Sequence, residues 1–304
     1  MRPASPDGDS GVLYRVQHET RYDYESAVEL AHHLAQLRPL SVAGLQHCEQ
    51  HRCDIEPRPG HVGRDLDVYG NERLFFAHYA PHDSLRVRAV SLVRVRAPEP
   101  PDWAASPAWE RVRELLRYRA GRPGVPAAEF SFGSAFSPVF DEAAAFAAPS
   151  FTPGRPLLDA AHDLMRRIHA EFTYDPESTE VQTRAPQALE LRHGVCQDYA
   201  HVMLAALRSV GLAARYVSGY LRSRPRPGEQ ALVGADASHA WASVWCPANG
   251  WVEFDPTNDR LPAADYVRVA VGRDFADVSP LRGVIRGGGR HALHVAVHVH
   301  PASG

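Results

Sequence analysis

An α+β fold is predicted by three stretches of this sequence. Leu85, Val87, Ala89, Val93 and Val95 share one face of an extended segment whose other face carries Arg86, Arg88, Arg94 and Arg96, the period-2 signature of a half-buried strand. Leu157, Leu158, Ala161, Leu164, Met165 and Ile168 recur at helical spacing and predict a helix over 157–171 with an apolar stripe. After a further helix that starts at Cys196, residues 213–221, 238–245 and 250–254 return to strand patterning.

Taken in order, residues 1–11, rich in Pro, Asp, Ser and Gly, read as a disordered tail. Strand patterning begins near Val12 and is clear from Leu13 to Tyr24. Asp67-Val68-Tyr69-Gly70-Asn71-Glu72 then places a Gly-Asn turn between two β-favouring runs, a hairpin signal. An antiparallel β domain is therefore expected over 12–97. A Pro-rich helical connector follows over 98–156, with a short amphipathic helix at 108–119. Pro186 suits the first position of another short helix. The helix from Cys196 carries Ala200, Val202, Met203, Ala206, Leu207 and Val210 and stops at Gly211. An Arg-Pro-Gly loop separates the strand ending at Leu221 from the one that holds His239.

Composition narrows the function classes. The chain has 304 residues, 44% of them apolar, which suits one large or two ordinary globular domains. Its 33 basic residues are all arginine, with no lysine, a bias that GC-rich codons produce. Against 36 acidic residues they leave a net charge of −3 without long like-charge blocks, so no nucleic-acid footprint is present. Neither an apolar leader core near the start nor a run of about 18 apolar residues occurs, and a cytoplasmic protein without membrane contact is expected. Four cysteines are too few for a disulfide scaffold and would stay as thiols in a reducing compartment. His294, His298 and His300 share a face of a C-terminal strand, but no Cys or carboxylate joins them at zinc-like spacing. Cys48 and Cys53 read as two thiols rather than a ligand pair, and neither a metal nor a cofactor is expected.

Chemistry concentrates after residue 194. Cys196 begins a helix, where unpaired backbone N–H groups and the positive end of the helix dipole favour a thiolate and can hold the oxyanion of an acyl intermediate. His239 starts one strand and Asp255 ends the next, so His239 is a candidate base and Asp255 a candidate for orienting the imidazole. Counting back from the turn at 247–250 sets the partner of Asp255 within Trp241 to Pro247, with His239 slightly beyond, so a bulge or stagger is expected to bring the two together. Asp198 is read as a cap or an Arg partner. Trp241, Trp245 and Trp251 are candidates either for an acyl-tunnel wall or for core.

GVCQDYAH, SHAWASVW and GWVEFDPTN resemble the transglutaminase-like superfamily, papain-like thiol enzymes, and in particular its bacterial branch. His lies 43 residues after Cys and Asp 16 further on, the spacing usual there. The 12–97 region resembles that branch's N-terminal domain, and VAVGRDFADVSPLRGVIRGGG its closing segment. The resemblance implies a papain-like core over 157–262, with 263–304 as the loop and strands completing the fold. It also implies Cys196 as nucleophile, His239 as general base and then acid, and Asp255 as the residue fixing the ring tautomer. Tyr174, Gln197 and Trp241 are candidates for the oxyanion site or pocket wall. The implied partner is a peptide or protein substrate with a Gln side chain or other amide, and the implied reaction is hydrolysis, as by a cysteine protease or amidase. Transamidation of glutamine is the alternative, and a noncatalytic binding protein the reading from another class.

Overall fold

The computed structural model describes residues 11–121, 123–222, 232–234 and 237–302. Residues 1–10 of the expected tail and the expected Arg-Pro-Gly loop lie outside them. Strands β1 (Val12–Ala35), β2 (Gln46–Glu56), β3 (His61–Leu66), β4 (Glu72–His78) and β5 (His82–Val95) come first. Helices α1 (Trp109–Leu116), α2 (Asp141–Ala147) and α3 (Leu157–Glu171) follow, then β6 (Thr173–Tyr174), α4 (Ala185–Leu191), β7 (His193–Gly194) and α5 (Cys196–Ser209). The chain closes with β8 (Ala214–Leu221), β9 (His239–Cys246), β10 (Gly250–Phe254), β11 (Tyr266–Gly272), α6 (Phe275–Val278), β12 (Leu281–Gly287) and β13 (His291–Pro301).

Two antiparallel sheets carry the α+β architecture. The first has the order β2-β5-β1-β4-β3, and β12 and β13 also pair with β1. β1 is long enough to serve both C-terminal strands: its first half, Tyr14 to Tyr24, pairs with β13, and its second half, Val28 to Ala35, with β12. The predicted hairpin forms between β3 and β4, running from the His61–Ala77 pair to Leu66–Glu72. Leu85, Val87, Ala89, Val93 and Val95 are all buried, as the alternation requires.

The second sheet, β10-β9-β8-β11, supports the helices. Every residue of α5 from Cys196 to Arg208 is buried, because α2, α3, α4, β8 and β9 surround it. A helix enclosed on all sides must satisfy its polar groups internally. Arg208 does so by donating to the carbonyls of Phe130 and Ala214 and to the Ser134 hydroxyl.

The edge strand β11 is covered by the first sheet. The Asn71 side chain exchanges hydrogen bonds with the Val271 backbone, donating at 2.7 Å and accepting at 2.9 Å. Gln46 does the same with Arg268, at 2.7 and 2.8 Å. Two side-chain amides thus stand in for a neighbouring strand at Arg268 and Val271. Tyr14, Val16, Val93, Val95, Val297 and Val299 pack in one core with Tyr220, Val267 and Val269 across this junction. Among the described residues, no helix is long and apolar enough to cross a membrane.

Gly219 on β8 is where this packing is tightest. A β-carbon there would lie 2.1 Å from the Val267 carbonyl oxygen and 2.5 Å from the Trp241 ring. One contact is backbone and the other a fully buried indole, so neither can yield cheaply. Gly219→Ala is expected to destabilise the protein by about 1–3 kcal/mol, the usual range for overpacking, read as a lower urea midpoint. An unchanged midpoint would show that the strand relaxes without cost.

Candidate active site

Local structure at the start of α5 depends on Gly194 and Asp198. Asp198 accepts hydrogen bonds from the Val195 N–H at 2.9 Å and the Thr179 hydroxyl at 2.7 Å, which fixes the first turn. A β-carbon on Gly194, whose φ is +154°, would fall 2.4 Å from that carboxylate, so the approach needs glycine. Asp198 is therefore the cap its position suggested. The side chain of Cys196 is nearly closed off, with 9% of the residue exposed, and its sulfur lies 3.9 Å from the Ser238 carbonyl oxygen.

His239 and Asp255 are both buried. The imidazole Nε2 donates to Asp255 Oδ2 at 2.8 Å, a tautomer assigned from the hydrogen-bond network. Nδ1 is buried and, among the described residues, has no partner of satisfactory hydrogen-bond geometry. Burial by itself would push the imidazolium pKa down. The charges of Asp255 and Cys196, with hydrogen bonding to both, overcome this and raise it. Burial opposes ionisation of Asp255 too, but His239, Asn258 and Tyr266 hold the carboxyl below its usual range.

The β9–β10 ladder is regular from Gly250–Cys246 to Phe254–Ala242, so the expected bulge or stagger is absent. None is needed. Continuing that register sets Asp255 opposite Trp241, and His239, two residues along β9, is its diagonal neighbour on the same face. Long side chains reach across such a diagonal.

Of the other candidates, Trp241 touches His239. Its ring stacks on His239 with centroids 6.0 Å apart and is fully buried. Trp245 and Trp251 pair across the strands further along, where Phe130 and the Arg215 guanidinium cover Trp251. Tyr174 is half-buried near Tyr199; burial and then the nearby Cys196 charge raise its pKa. The Gln197 amide donates to the Val181 carbonyl at 2.9 Å, tying that loop to α5. Sequence reasoning missed Tyr266 and the role of Asn258, both of which bond Asp255. Asn258 sits within the GWVEFDPTN motif, whereas nothing in the spacing marks Tyr266.

His294, His298 and His300 lie along the exposed face of β13, and among the described residues no three His, Cys, Asp or Glu side chains are grouped to hold a metal ion. All four cysteines are free. Burial pushes the Cys48 thiol up, and raises Cys53 to about 11.

Comparison with known proteins agrees with this architecture. Residues 144–256 match the transglutaminase-like superfamily, and residues 14–94 match the bacterial transglutaminase-like N-terminal region. The uncharacterized protein Rv2569c of Mycobacterium tuberculosis is 41% identical over 299 residues, covering 96% of this chain and 93% of that protein. A protein-glutamine gamma-glutamyltransferase of Pseudomonas aeruginosa is 31% identical over 128 residues, which is 36% of this chain and 19% of that protein. Among solved structures, a candidate cysteine protease from Cytophaga hutchinsonii superposes with a TM-score of 0.74 at 19% identity, over 97% of this chain and 92% of that one, a likeness of fold.

Proposed function

The chain belongs to the transglutaminase-like superfamily, and from that premise we propose that it is a thiol acyl-transfer enzyme that hydrolyses peptide or carboxamide bonds. The observation that carries the reading is the buried His239–Asp255 pair at 2.8 Å, with the Cys196 sulfur 3.9 Å from the carbonyl oxygen of Ser238, the residue next to His239.

In this mechanism the Cys196 thiolate attacks the carbonyl carbon. The oxyanion is held at the N-terminus of α5, where the first backbone N–H groups have no partner within the helix. The C–N bond breaks as the His239 imidazolium gives its Nδ1 proton to the leaving nitrogen, and a thioester remains. Neutral His239 then takes a proton from water as that water attacks. The C–S bond breaks, the acid leaves, and the thiolate–imidazolium pair is restored. Asp255 keeps Nε2 protonated throughout, so that Nδ1 faces the chemistry.

Transamidation, in which an amine replaces water, is the second reading, favoured by the similarity to a glutamyltransferase over 128 residues. The two part in a library of Gln-containing peptides incubated with and without a primary amine. Cleavage or ammonia release without amine incorporation supports hydrolysis, and incorporation supports transfer. The absence of lysine adds a control, since isopeptide crosslinks between copies through lysine cannot form.

Selective chemistry at Cys196 is the first requirement. Iodoacetamide below neutral pH is expected to label Cys196 well ahead of Cys48 and Cys53, located by peptide mass. Uniform slow labelling would remove the enzymatic reading and leave a binding protein.

A further inference from the structure

Asp255 receives more hydrogen bonds than a residue that merely orients an imidazole needs. On Oδ2 it accepts from His239 Nε2 at 2.8 Å, from Asn258 Nδ2 at 2.8 Å and from the Tyr266 hydroxyl at 2.7 Å. On Oδ1 it accepts the backbone N–H groups of Thr257 at 2.9 Å and Asn258 at 3.3 Å. The backbone pair fixes the carboxylate plane. The two side-chain donors compete with the imidazole for one oxygen.

We propose that Tyr266 and Asn258 are positioning residues that set the proton affinity of His239 through Asp255. This rests on the triad reading above. A carboxylate oxygen that already accepts two hydrogen bonds carries less negative charge toward the third donor, and holds an imidazolium less tightly than a bare carboxylate does. The second half of the reaction requires that restraint, because His239 must be neutral to accept a proton from water. Neither residue needs to reach substrate to have this effect.

Both donors are themselves held in place. The Tyr266 ring packs edge-on against Trp241 at 5.3 Å, and the Arg260 guanidinium covers it at 5.6 Å. Its hydroxyl is thereby aimed at Asp255 from β11, the strand farthest from β10 in the sheet. Asn258 Oδ1 accepts the Val233 N–H at 2.9 Å, which orients its amide so that the NH2 group faces Oδ2. The bond to Asp255 is thus a designed direction for each side chain and not a chance contact of a mobile group.

The test is the pH profile of Cys196 alkylation by iodoacetamide in the full chain, comparing wild type with Tyr266→Phe and Asn258→Ala. A thiolate–imidazolium pair gives two inflections, the upper one marking loss of the imidazolium proton. In each variant the upper inflection is expected to move to higher pH by about half to one unit, a roughly 3- to 10-fold gain in proton affinity. Asn258 lies at a partly exposed turn, so its variant reports even where Tyr266→Phe lowers stability. A purely structural role would lower the unfolding midpoint and leave both inflections in place. If wild-type Cys196 labels selectively and both variants superimpose on it, the proposal is overturned while the triad stands. If wild-type Cys196 shows no selective labelling, the triad reading itself has failed.

Discussion

Cys196→Ala is expected to reduce turnover below detection while moving the unfolding midpoint little. The substitution removes the sulfur proposed to form the thioester, and neither described neighbour replaces it: Ser238 approaches with its carbonyl oxygen and Tyr174 has a phenol whose pKa is raised. Stability should change by about 1 kcal/mol or less, since a small side chain replaces another of similar volume. His239→Ala behaves differently. It removes the proposed base and also leaves Asp255 buried without its cationic partner, so a loss of about 3–5 kcal/mol should accompany the loss of activity. Asp255→Asn is informative in a third way. Five donors converge on that carboxylate, and an amide can offer an acceptor on one side only, so one of its faces would meet donors with an NH2 group. Activity should fall by about 10²–10⁴ with a concurrent loss of stability. Peptide hydrolysis, paired with urea midpoints for all three variants, separates the contributions. Full activity in Cys196→Ala would overturn the site.

Much of this site could be read from local pattern. Cys196 was placed at a helix start by the apolar spacing behind it, and His239 and Asp255 at strand ends by alternation and the Pro-Ala-Asn-Gly turn, and the elements lie there. The unneeded bulge shows where residue counting is too crude. Direct opposition is only one way for two side chains to meet, and the diagonal is another. The spacing along α5 marks an apolar run of six residues, yet α5 is buried on every side, because burial depends on α2, α3 and α4 packing around it. The same limitation hid Tyr266, which reaches Asp255 only because β11 joins the far edge of the sheet. It also hid the return of β12 and β13 to β1, a pairing that spans most of the chain and leaves no local trace. The helix at 141–147 went unread within a connector dominated by Pro, Gly and Ala. Its short apolar face makes sense only against Phe172 and α5.

Acid lability is the other large effect to expect, and it arises far from the chemistry. Burial lowers the pKa of His18 to about 4, and lowers His33 to about 4 with help from His78, His82 and His32. Burial, and then the Arg208 charge, lowers His201 to about 3. Each is neutral in the folded protein at pH values where the unfolded chain, with imidazoles near 6.5, is protonated. The sign follows: between pH 6.5 and about 4 the unfolded state binds more protons, so stability falls as pH falls through that window. At pH 5 the three groups together call for about three protons on unfolding, a slope of roughly 4 kcal/mol per pH unit. His239 does not offset this: its raised pKa keeps it protonated in the folded protein, and below about 6.5 the unfolded chain protonates it as well. Set against a typical total of about 5–15 kcal/mol, such a slope should unfold the protein within a few pH units below 6.5. His18 offers a direct check. Its Nδ1 and Nε2 meet the Tyr220 hydroxyl and the Thr20 hydroxyl, at 2.9 and 3.0 Å, partners that an amide can also satisfy. His18→Gln should therefore reduce the proton uptake on unfolding by about one, measured from urea midpoints between pH 7 and 4.5. A midpoint that stays level across that range would mean the buried imidazoles are hydrated or paired well enough to accept protons in place.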